Sequence, residues 1–129
     1  MKCLVIIGGN GMLGTDLREL AVEHGYKVKI FDRPEFDITN ETDVKRAVAA
    51  GDLIVNCAAY TAVDQAESEP ETAYAVNAAA VQTLGDICAE ADKYLVHIST
   101  DFVFGDASDR PLKETDAPSP LSVYGRTKL

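Results

Sequence analysis

Residues 3–14 read Cys-Leu-Val-Ile-Ile-Gly-Gly-Asn-Gly-Met-Leu-Gly, an apolar run followed by closely spaced glycines. The β-branched run is short enough for a buried strand, and apolar residues from Met12 onward recur at helical spacing. Glycine suits a tight strand-to-helix turn, because it adopts positive φ and lets the backbone approach a pyrophosphate at the helix N-terminus. Two registers fit, Gly9-x-Gly11-x-x-Gly14 and the wider Gly8-x-x-Gly11-x-x-Gly14. The stretch therefore predicts a dinucleotide-binding loop, and the alternative is a plain strand-to-helix turn.

The rest of the chain continues the alternation of strands and helices. Gly25 is expected to end the first helix, and Thr39 or Asn40 to cap the second. Further strands are expected at 26–31, 53–58 and 94–98, helices at 41–50 and 68–91, and loops at 59–66 and 99–122. Such alternation gives right-handed crossovers between parallel strands. We predict one domain over residues 1–129, with an α/β fold: a Rossmann-type doubly wound parallel sheet with helices on both faces.

Composition limits the function classes. The 129 residues are 47% hydrophobic and carry a net charge of −9, which argues against nucleic acid and anionic membrane surfaces as partners. No window has the apolar length of a membrane span, and the N-terminus does not resemble a signal peptide, so a cytoplasmic protein is expected. Cys3, Cys57 and Cys88 are odd in number and widely spaced, which favours reduced core thiols over disulfides or a metal site.

Asp32 and Arg33 follow the second expected strand, about 20 residues beyond the glycines. A carboxylate at this place accepts hydrogen bonds from the adenosine ribose and favours NAD, whereas a guanidinium can hold the 2′-phosphate of NADP. The pair therefore predicts NAD or NADP without a preference. The alternative is a solvated Asp-Arg turn.

Tyr124 and Lys128 are four residues apart, which on a helix places them on one face. A free tyrosine releases its proton near pH 10, and a neighbouring ammonium favours the phenolate. The pair is a candidate acid, although an exposed helix pair would share the spacing. Ser99-Thr100 strengthens the acid interpretation, since a hydroxyl at a strand end could hold a carbonyl oxygen against the tyrosine.

Four motifs resemble the extended short-chain dehydrogenase/reductases, and within them the reductases of 4-keto-6-deoxy nucleotide sugars. They occupy residues 8–14, 56–67, 99–104 and 124–129, and so extend along the whole chain. The most specific is the run Thr-Ala-Val-Asp-Gln-Ala-Glu at 61–67. The resemblance implies reduction of the 4-keto group of a dTDP-6-deoxy sugar, with NADPH or NADH as cofactor and a homodimer of the full-length protein.

Site residues follow from the same resemblance. The implied catalytic residues are Tyr124 as proton donor, Lys128 and Thr100. The residues implied to bind the cofactor are Gly8, Asn10, Gly11, Met12, Leu13, Asp32, Arg33, Asp37, Ile38, Ala58, Ala59, Tyr60, Thr61, Ser99, Tyr124 and Lys128. Those implied to face the substrate are Thr61, Val63, Thr100 and Asp101. Asn77 matches an asparagine of the family, and we expect it to tie strands together, because a buried amide must find partners.

Departures from the family also carry expectations. Phe102 stands where relatives often have Tyr, and where sugar-nucleotide dehydratases have a Glu, so elimination chemistry is disfavoured. Family members are considerably longer, so we expect a fragment truncated before the C-terminal substrate region, with weak cofactor binding and little turnover. Two alternatives remain: a non-catalytic regulatory subunit like the beta subunit of methionine adenosyltransferase, and a sugar-nucleotide epimerase.

Overall fold

A computed structural model describes residues 2–105 and 109–129. Four parallel strands form one sheet in the order β2-β1-β3-β4. The strands are β1 (Cys3–Ile7), β2 (Lys27–Phe31), β3 (Leu53–Asn56) and β4 (Tyr94–His97). The helices are α1 (Met12–Glu23), α2 (Glu41–Ala49), α3 (Val63–Ala66), α4 (Pro70–Tyr74), α5 (Ala80–Glu90) and α6 (Val123–Lys128), with a π-helical turn at Ala75–Ala79 and a 3-10 turn at Asp101–Val103.

Helices cover both faces of the sheet because successive strand residues point to opposite sides. On one face, Val5 and Ile54 pack against α2 and α5. On the other face, Ile6 and Val55 pack beside Ala21 of α1. This arrangement confirms the predicted doubly wound sheet. The chain passes from β1 to β2 on one side and then to β3 on the other, so the switch point lies between β1 and β3.

The local signals explain where several helices begin. The Asn40 side chain accepts a hydrogen bond from the Asp43 N–H, so Asn40 rather than Thr39 caps α2. Pro70 occupies the first turn of α4, where a missing N–H costs nothing. In α1, Met12 is 91% exposed and Leu20 is 53% exposed. Not every apolar residue at helical spacing in this helix therefore faces the core.

Several predicted boundaries were wrong. The expected loop at 59–66 contains α3, a single helical turn that buries Ala66. The expected helix at 68–91 begins at Pro70 and is interrupted by the π-helical turn, which buries Asn77. The strands expected to end at residues 58 and 98 end at Asn56 and His97. Within the expected loop at 99–122 lies the 3-10 turn, and its residues 106–108 lie outside the described residues.

Two further observations concern the described part of the chain. Cys3, Cys57 and Cys88 are free thiols, as predicted, and burial raises the pKa of Cys57 and Cys88. Within residues 2–105 and 109–129, no helix combines the length and apolar character needed to cross a membrane.

Candidate functional site

The carboxyl ends of the strands open onto a cleft with a volume of about 570 Å³. Most of the residues predicted to hold a cofactor line it. They are Gly8, Gly11, Met12, Leu13, Asp32, Arg33, Ile38, Ala58, Ala59, Tyr60, Thr61, Ser99, Tyr124 and Lys128. The cleft lies at the switch point, where open α/β sheets bind their ligands.

The glycine loop is shaped by close backbone packing. Gly8 has φ +75°, and a Cβ there would stand 2.6 Å from the Ala58 nitrogen. A Cβ on Gly14 would stand 2.5 Å from the Gly8 carbonyl oxygen. These approaches bring the start of α1 against the ends of β1 and β3, and no larger residue fits either position.

The N-terminus of α1 is suited to an anion. Its N-cap is Gly11, and among residues 2–105 and 109–129 no side chain caps the first helical N–H groups. The first turn holds no acidic residue, so the positive end of the helix is not neutralised locally. The free N–H groups belong to the first turn of α1, whose residues Met12 and Leu13 line the cleft. Free N–H groups at a helix N-terminus are suited to bind phosphate groups.

Asp32 links the end of β2 to the glycine loop. Its carboxylate accepts hydrogen bonds from the backbone N–H of Asn10 and of Arg33, each at 2.8 Å. A carboxylate has about four acceptor sites, so capacity remains for ligand hydroxyls. Asn10 contributes only its backbone N–H to this hydrogen bond, and it does not line the cleft. Asp32 and Arg33 do line the cleft.

Asn77 holds the loop after β3 against α6. The buried amide accepts from the Tyr60 N–H at 2.8 Å, donates to the Tyr60 carbonyl oxygen at 3.0 Å, and donates to Thr127 Oγ1 at 3.0 Å. All of its hydrogen-bonding groups are therefore used, as expected of a buried amide. The amide joins a loop to a helix, which corrects the expectation that Asn77 would tie strands together.

Tyr124 and Lys128 lie on α6 and are both 9% exposed. Ser122 caps this helix by accepting from the Gly125 N–H, and the Glu67 carboxylate accepts from the Val123 N–H at 2.8 Å. The Lys128 ammonium nitrogen donates to the Ile98 carbonyl oxygen at 2.6 Å. Burial lowers the pKa of Lys128.

Other predicted residues lie apart from the cleft lining. The Thr100 hydroxyl accepts from the Phe102 N–H at 3.2 Å and so caps the 3-10 turn. Val63 packs in a cluster with Tyr124. The Asp37 carboxylate accepts from the N–H and hydroxyl of Thr39, and these bonds lower the pKa of Asp37.

Asp101 lines a separate cavity of about 290 Å³. The ring of Phe102, which also lines that cavity, packs edge-on against Tyr124 with centroids 5.6 Å apart. Thr100 and Asp101 therefore belong to the segment beside Tyr124 rather than to the floor of the main cleft.

Sequence reasoning missed several residues of the cleft. The additional lining residues are Ile7, Phe36, Asn56, Cys57, Thr72, Val76 and Ile98. His97 was missed as well, although it contacts Lys128. Asn56 and His97 each end a strand, and this position was a signal that could have identified them.

A parallel sheet, a switch-point cleft and an uncapped helix N-terminus together define a Rossmann-type domain. Residues 1–129 match the family described as RmlD substrate binding domain, and the chain belongs to that family. It is 48% identical over 127 residues to a dTDP-4-dehydrorhamnose reductase of Mycolicibacterium smegmatis, an alignment that covers 98% of this chain and 39% of the relative.

Solved structures of proteins with the same name as this relative are also similar to the chain. A dTDP-4-dehydrorhamnose reductase of Clostridium acetobutylicum superposes with a TM-score of 0.92 at 34% identity, covering 98% of this chain and 46% of that one. A dTDP-4-dehydrorhamnose reductase of Bacillus anthracis in complex with NADP superposes with a TM-score of 0.88 at 38% identity, with the same coverage. The chain therefore spans less than half the length of these relatives.

Proposed function

We propose that this chain is the cofactor-binding part of an NAD(P)H-dependent reductase that acts on the 4-keto group of a dTDP-6-deoxy sugar, dTDP-4-dehydrorhamnose. The observation that carries the proposal is one cleft lined by the glycine loop, Asp32, Tyr124 and Lys128. The relatives named dTDP-4-dehydrorhamnose reductase support it, and so does the NADP bound in one of their structures.

The residues present fit a dinucleotide. The uncapped N-terminus of α1 would hold the pyrophosphate, because its N–H groups are free and the packing at Gly8 and Gly14 keeps side chains away from it. Asp32 and Arg33 line the cleft. Asp32 would accept from the adenosine ribose, and Arg33 would bind a 2′-phosphate. We also assign cofactor contacts to Asn10, Asp37, Ile38, Ser99 and the segment 58–61.

Catalysis would depend on α6. A reduced nicotinamide supplies hydride to the carbonyl carbon when it is bound. Tyr124 would give its phenolic proton to the carbonyl oxygen, so that ketone, hydride and proton together yield the alcohol. The Lys128 amine would hold ribose hydroxyls and, in its charged form, favour the tyrosine phenolate.

The sugar would lie on the Thr100 side of the cleft. Thr61 lines the cleft, while Val63 and the turn at Thr100 and Asp101 flank Tyr124. The Thr100 hydroxyl would bind the ketone oxygen. For the full-length protein we propose a cytoplasmic enzyme that forms a homodimer.

Nucleotide binding by the 129-residue chain tests the cofactor part of the proposal. Fluorescence titration with NADPH and with NADH is expected to detect weak binding. Asp32→Asn should weaken nucleotide binding about tenfold. The variant loses hydrogen bonds between the ribose and a charged carboxylate, which contribute about 1.5 kcal/mol. Asp64→Asn, which changes an exposed residue of α3 away from the cleft lining, is the matched control. Absence of binding to both nucleotides would contradict the proposal.

Turnover needs the length of the relatives. A chimera that joins residues 1–129 to the remaining part of the Mycolicibacterium smegmatis relative should oxidise NADPH in the presence of dTDP-4-dehydrorhamnose. Tyr124→Phe in the chimera should abolish turnover but weaken nucleotide binding only slightly, because the variant keeps the ring and loses one hydroxyl. Sugar conversion without net NADPH consumption would indicate an epimerase, and nucleotide binding without any turnover would favour a regulatory subunit.

A further inference from the structure

Tyr60 is held at three points in the wall of the cleft. Its N–H donates to Asn77 Oδ1 at 2.8 Å, and its carbonyl oxygen accepts from Asn77 Nδ2 at 3.0 Å. Its hydroxyl donates to Glu69 Oε2 at 2.8 Å. The half-buried ring packs against the core beneath α2 and α5 and against the cluster that contains Tyr124. The backbone, the ring and the hydroxyl of Tyr60 are therefore all held by contacts within the chain.

Glu69 lies outside the cleft lining and is itself oriented by a neighbour. It precedes Pro70 at the start of α4, and it does not line the cleft, whereas Tyr60 does. Gln65 Nε2, from α3, donates to Glu69 Oε1 at 3.0 Å, so each carboxylate oxygen has a partner. The bonds from Gln65 and Tyr60 lower the pKa of Glu69. At neutral pH a charged carboxylate therefore holds the Tyr60 hydroxyl from outside the cleft lining.

The two tyrosines that line the cleft differ in what their phenol protons do. A phenol has a single O–H, and that of Tyr60 is committed to Glu69. Partial burial and the bond to Glu69 raise the pKa of Tyr60, so its hydroxyl stays protonated at neutral pH. Among residues 2–105 and 109–129, the Tyr124 hydroxyl has no hydrogen-bond partner. Tyr60 therefore has no proton to donate to a ligand, whereas Tyr124 does.

We propose that Glu69 is a positioning residue: by holding the Tyr60 hydroxyl from outside the cleft, it makes the Tyr60 ring a fixed apolar wall for the bound dinucleotide. The identity of the ligand rests on the proposed function. A ring that is already held in one orientation loses little rotamer freedom when a ligand packs against it. The same hydrogen bond keeps a second phenol proton away from the ketone that Tyr124 is proposed to protonate.

The hydrogen bond can be tested in the absence of any ligand. Tyrosine labelled with ¹³C at the ring Cζ gives an NMR signal for each of the five tyrosines, and Tyr60→Phe assigns the signal of Tyr60. That signal should titrate above the ordinary tyrosine value of 10.0, and Glu69→Gln should move its titration towards 10.0. Glu71→Gln, at an exposed position of α4 outside the cleft lining, is the matched control. An unchanged titration of Tyr60 in Glu69→Gln would overturn the inference.

If the chain unfolds in alkali before Tyr60 titrates, a double-mutant cycle at neutral pH decides. Urea denaturation compares the wild type with Tyr60→Phe, Glu69→Ala and the double variant. Either single substitution breaks the same hydrogen bond, so the double variant should lose less stability than the sum of the two single losses. Additive losses would show that the two side chains do not act together, and they would overturn the inference.

Nucleotide binding tests the consequence for the cofactor. Glu69→Ala releases the Tyr60 hydroxyl and should weaken NADPH binding about threefold relative to Glu71→Ala, which removes an equal charge from the same helix. Tyr60→Ala removes the wall and should weaken binding about tenfold. In a Tyr60→Phe background, Glu69→Ala should have no effect beyond that of Glu71→Ala, because Glu69 acts through the hydroxyl. An equal effect of Glu69→Ala with and without that hydroxyl would contradict the positioning role.

The inference and the proposed function fail separately. The tyrosine titration and the urea measurements use neither nucleotide nor sugar. Absent NADPH binding beside a coupled Tyr60 and Glu69 would therefore contradict the function and the identity of the ligand. Intact NADPH binding beside an uncoupled pair would contradict only the inference.

Discussion

The two sides of the cleft are built differently. On the glycine-loop side, backbone packs directly on backbone, with Gly14 against Gly8 and Gly8 against Ala58. On the α6 side, a six-residue helix is held by side-chain hydrogen bonds from Glu67, Asn77 and Ser122.

This difference predicts how each side fails. Close-packed backbone has no room for an added methyl group, so the glycine loop is sensitive to any enlargement. A short helix has little stability of its own, so α6 depends on the polar atoms that hold its ends. Substitutions that add atoms should therefore destabilise the glycine-loop side. Substitutions that remove hydrogen-bonding groups should destabilise the α6 side.

The largest effect is expected for Gly14→Ala. The new Cβ would stand 2.5 Å from the Gly8 carbonyl oxygen and 2.6 Å from the Gly9 Cα, and neither can move cheaply. We expect a loss of about 3 kcal/mol in the free energy of unfolding, measured by urea denaturation. Gly85→Ala is the control, since its Cβ meets nothing within 4 Å and it lies inside α5, where alanine should stabilise by about 1 kcal/mol. Equal effects of the two substitutions would contradict the packing argument.

Asn77→Leu tests the other side. The substitution keeps the number and branching of the side-chain heavy atoms but leaves the Tyr60 N–H without its acceptor and Thr127 Oγ1 without its donor. Buried groups that lose their partners cost about 2 kcal/mol in the free energy of unfolding. Hydrogen exchange should accelerate in α6 more than in the sheet. Gln82→Leu, at an exposed position of α5, should change stability by less than about 0.5 kcal/mol, and an Asn77→Leu loss as small as this would contradict the prediction.

A smaller effect is expected at the N-terminus of α6. Glu67→Ala removes the acceptor of the Val123 N–H, which should cost about 1 kcal/mol. Glu67→Gln keeps a carbonyl oxygen at the same place and should stay closer to the wild type. The exchange rate of the Val123 amide distinguishes the two variants. Identical protection of that amide in both would indicate that the carboxylate does not hold the helix.

The smallest effect concerns pH. Folding lowers the pKa of His97, so the unfolded chain binds more protons than the folded chain as pH falls below 6.5. Stability should therefore decrease as pH falls from about 6.5 toward the folded pKa of His97. The loss should be below about 1 kcal/mol, because solvent screens a half-buried ring. His97→Gln should flatten the curve in this range.

Most of the glycine-loop side could be predicted from the sequence, because the signals there are local. A buried strand, four glycines and a helix within residues 3–23 leave few conformations for the backbone, and Asp32 follows at the end of the next strand. The spacing of Tyr124 and Lys128 correctly placed both on one helix that lines the cleft. Their roles remain predictions.

The contacts that hold α6 could not be predicted in the same way. Glu67 and Val123 are 56 residues apart, and Asn77 and Thr127 are 50 apart. No spacing rule relates residues so distant, since their proximity depends on how the helices pack on the sheet. The single turn of α3 was also missed, because four residues carry too little periodicity to be recognised.

The sequence by itself therefore determined the parallel α/β sheet, the glycine loop after β1 and the candidate pair on α6. These features follow from local periodicity and from backbone conformations that only glycine adopts readily. Only the tertiary structure decided the row from Asn56 through His97 to Lys128 and the division between the main cleft and the turn at Thr100 and Asp101. The physical reason is that the strand ends lie side by side in the sheet. Atoms that are tens of residues apart in the chain are therefore close together in the fold.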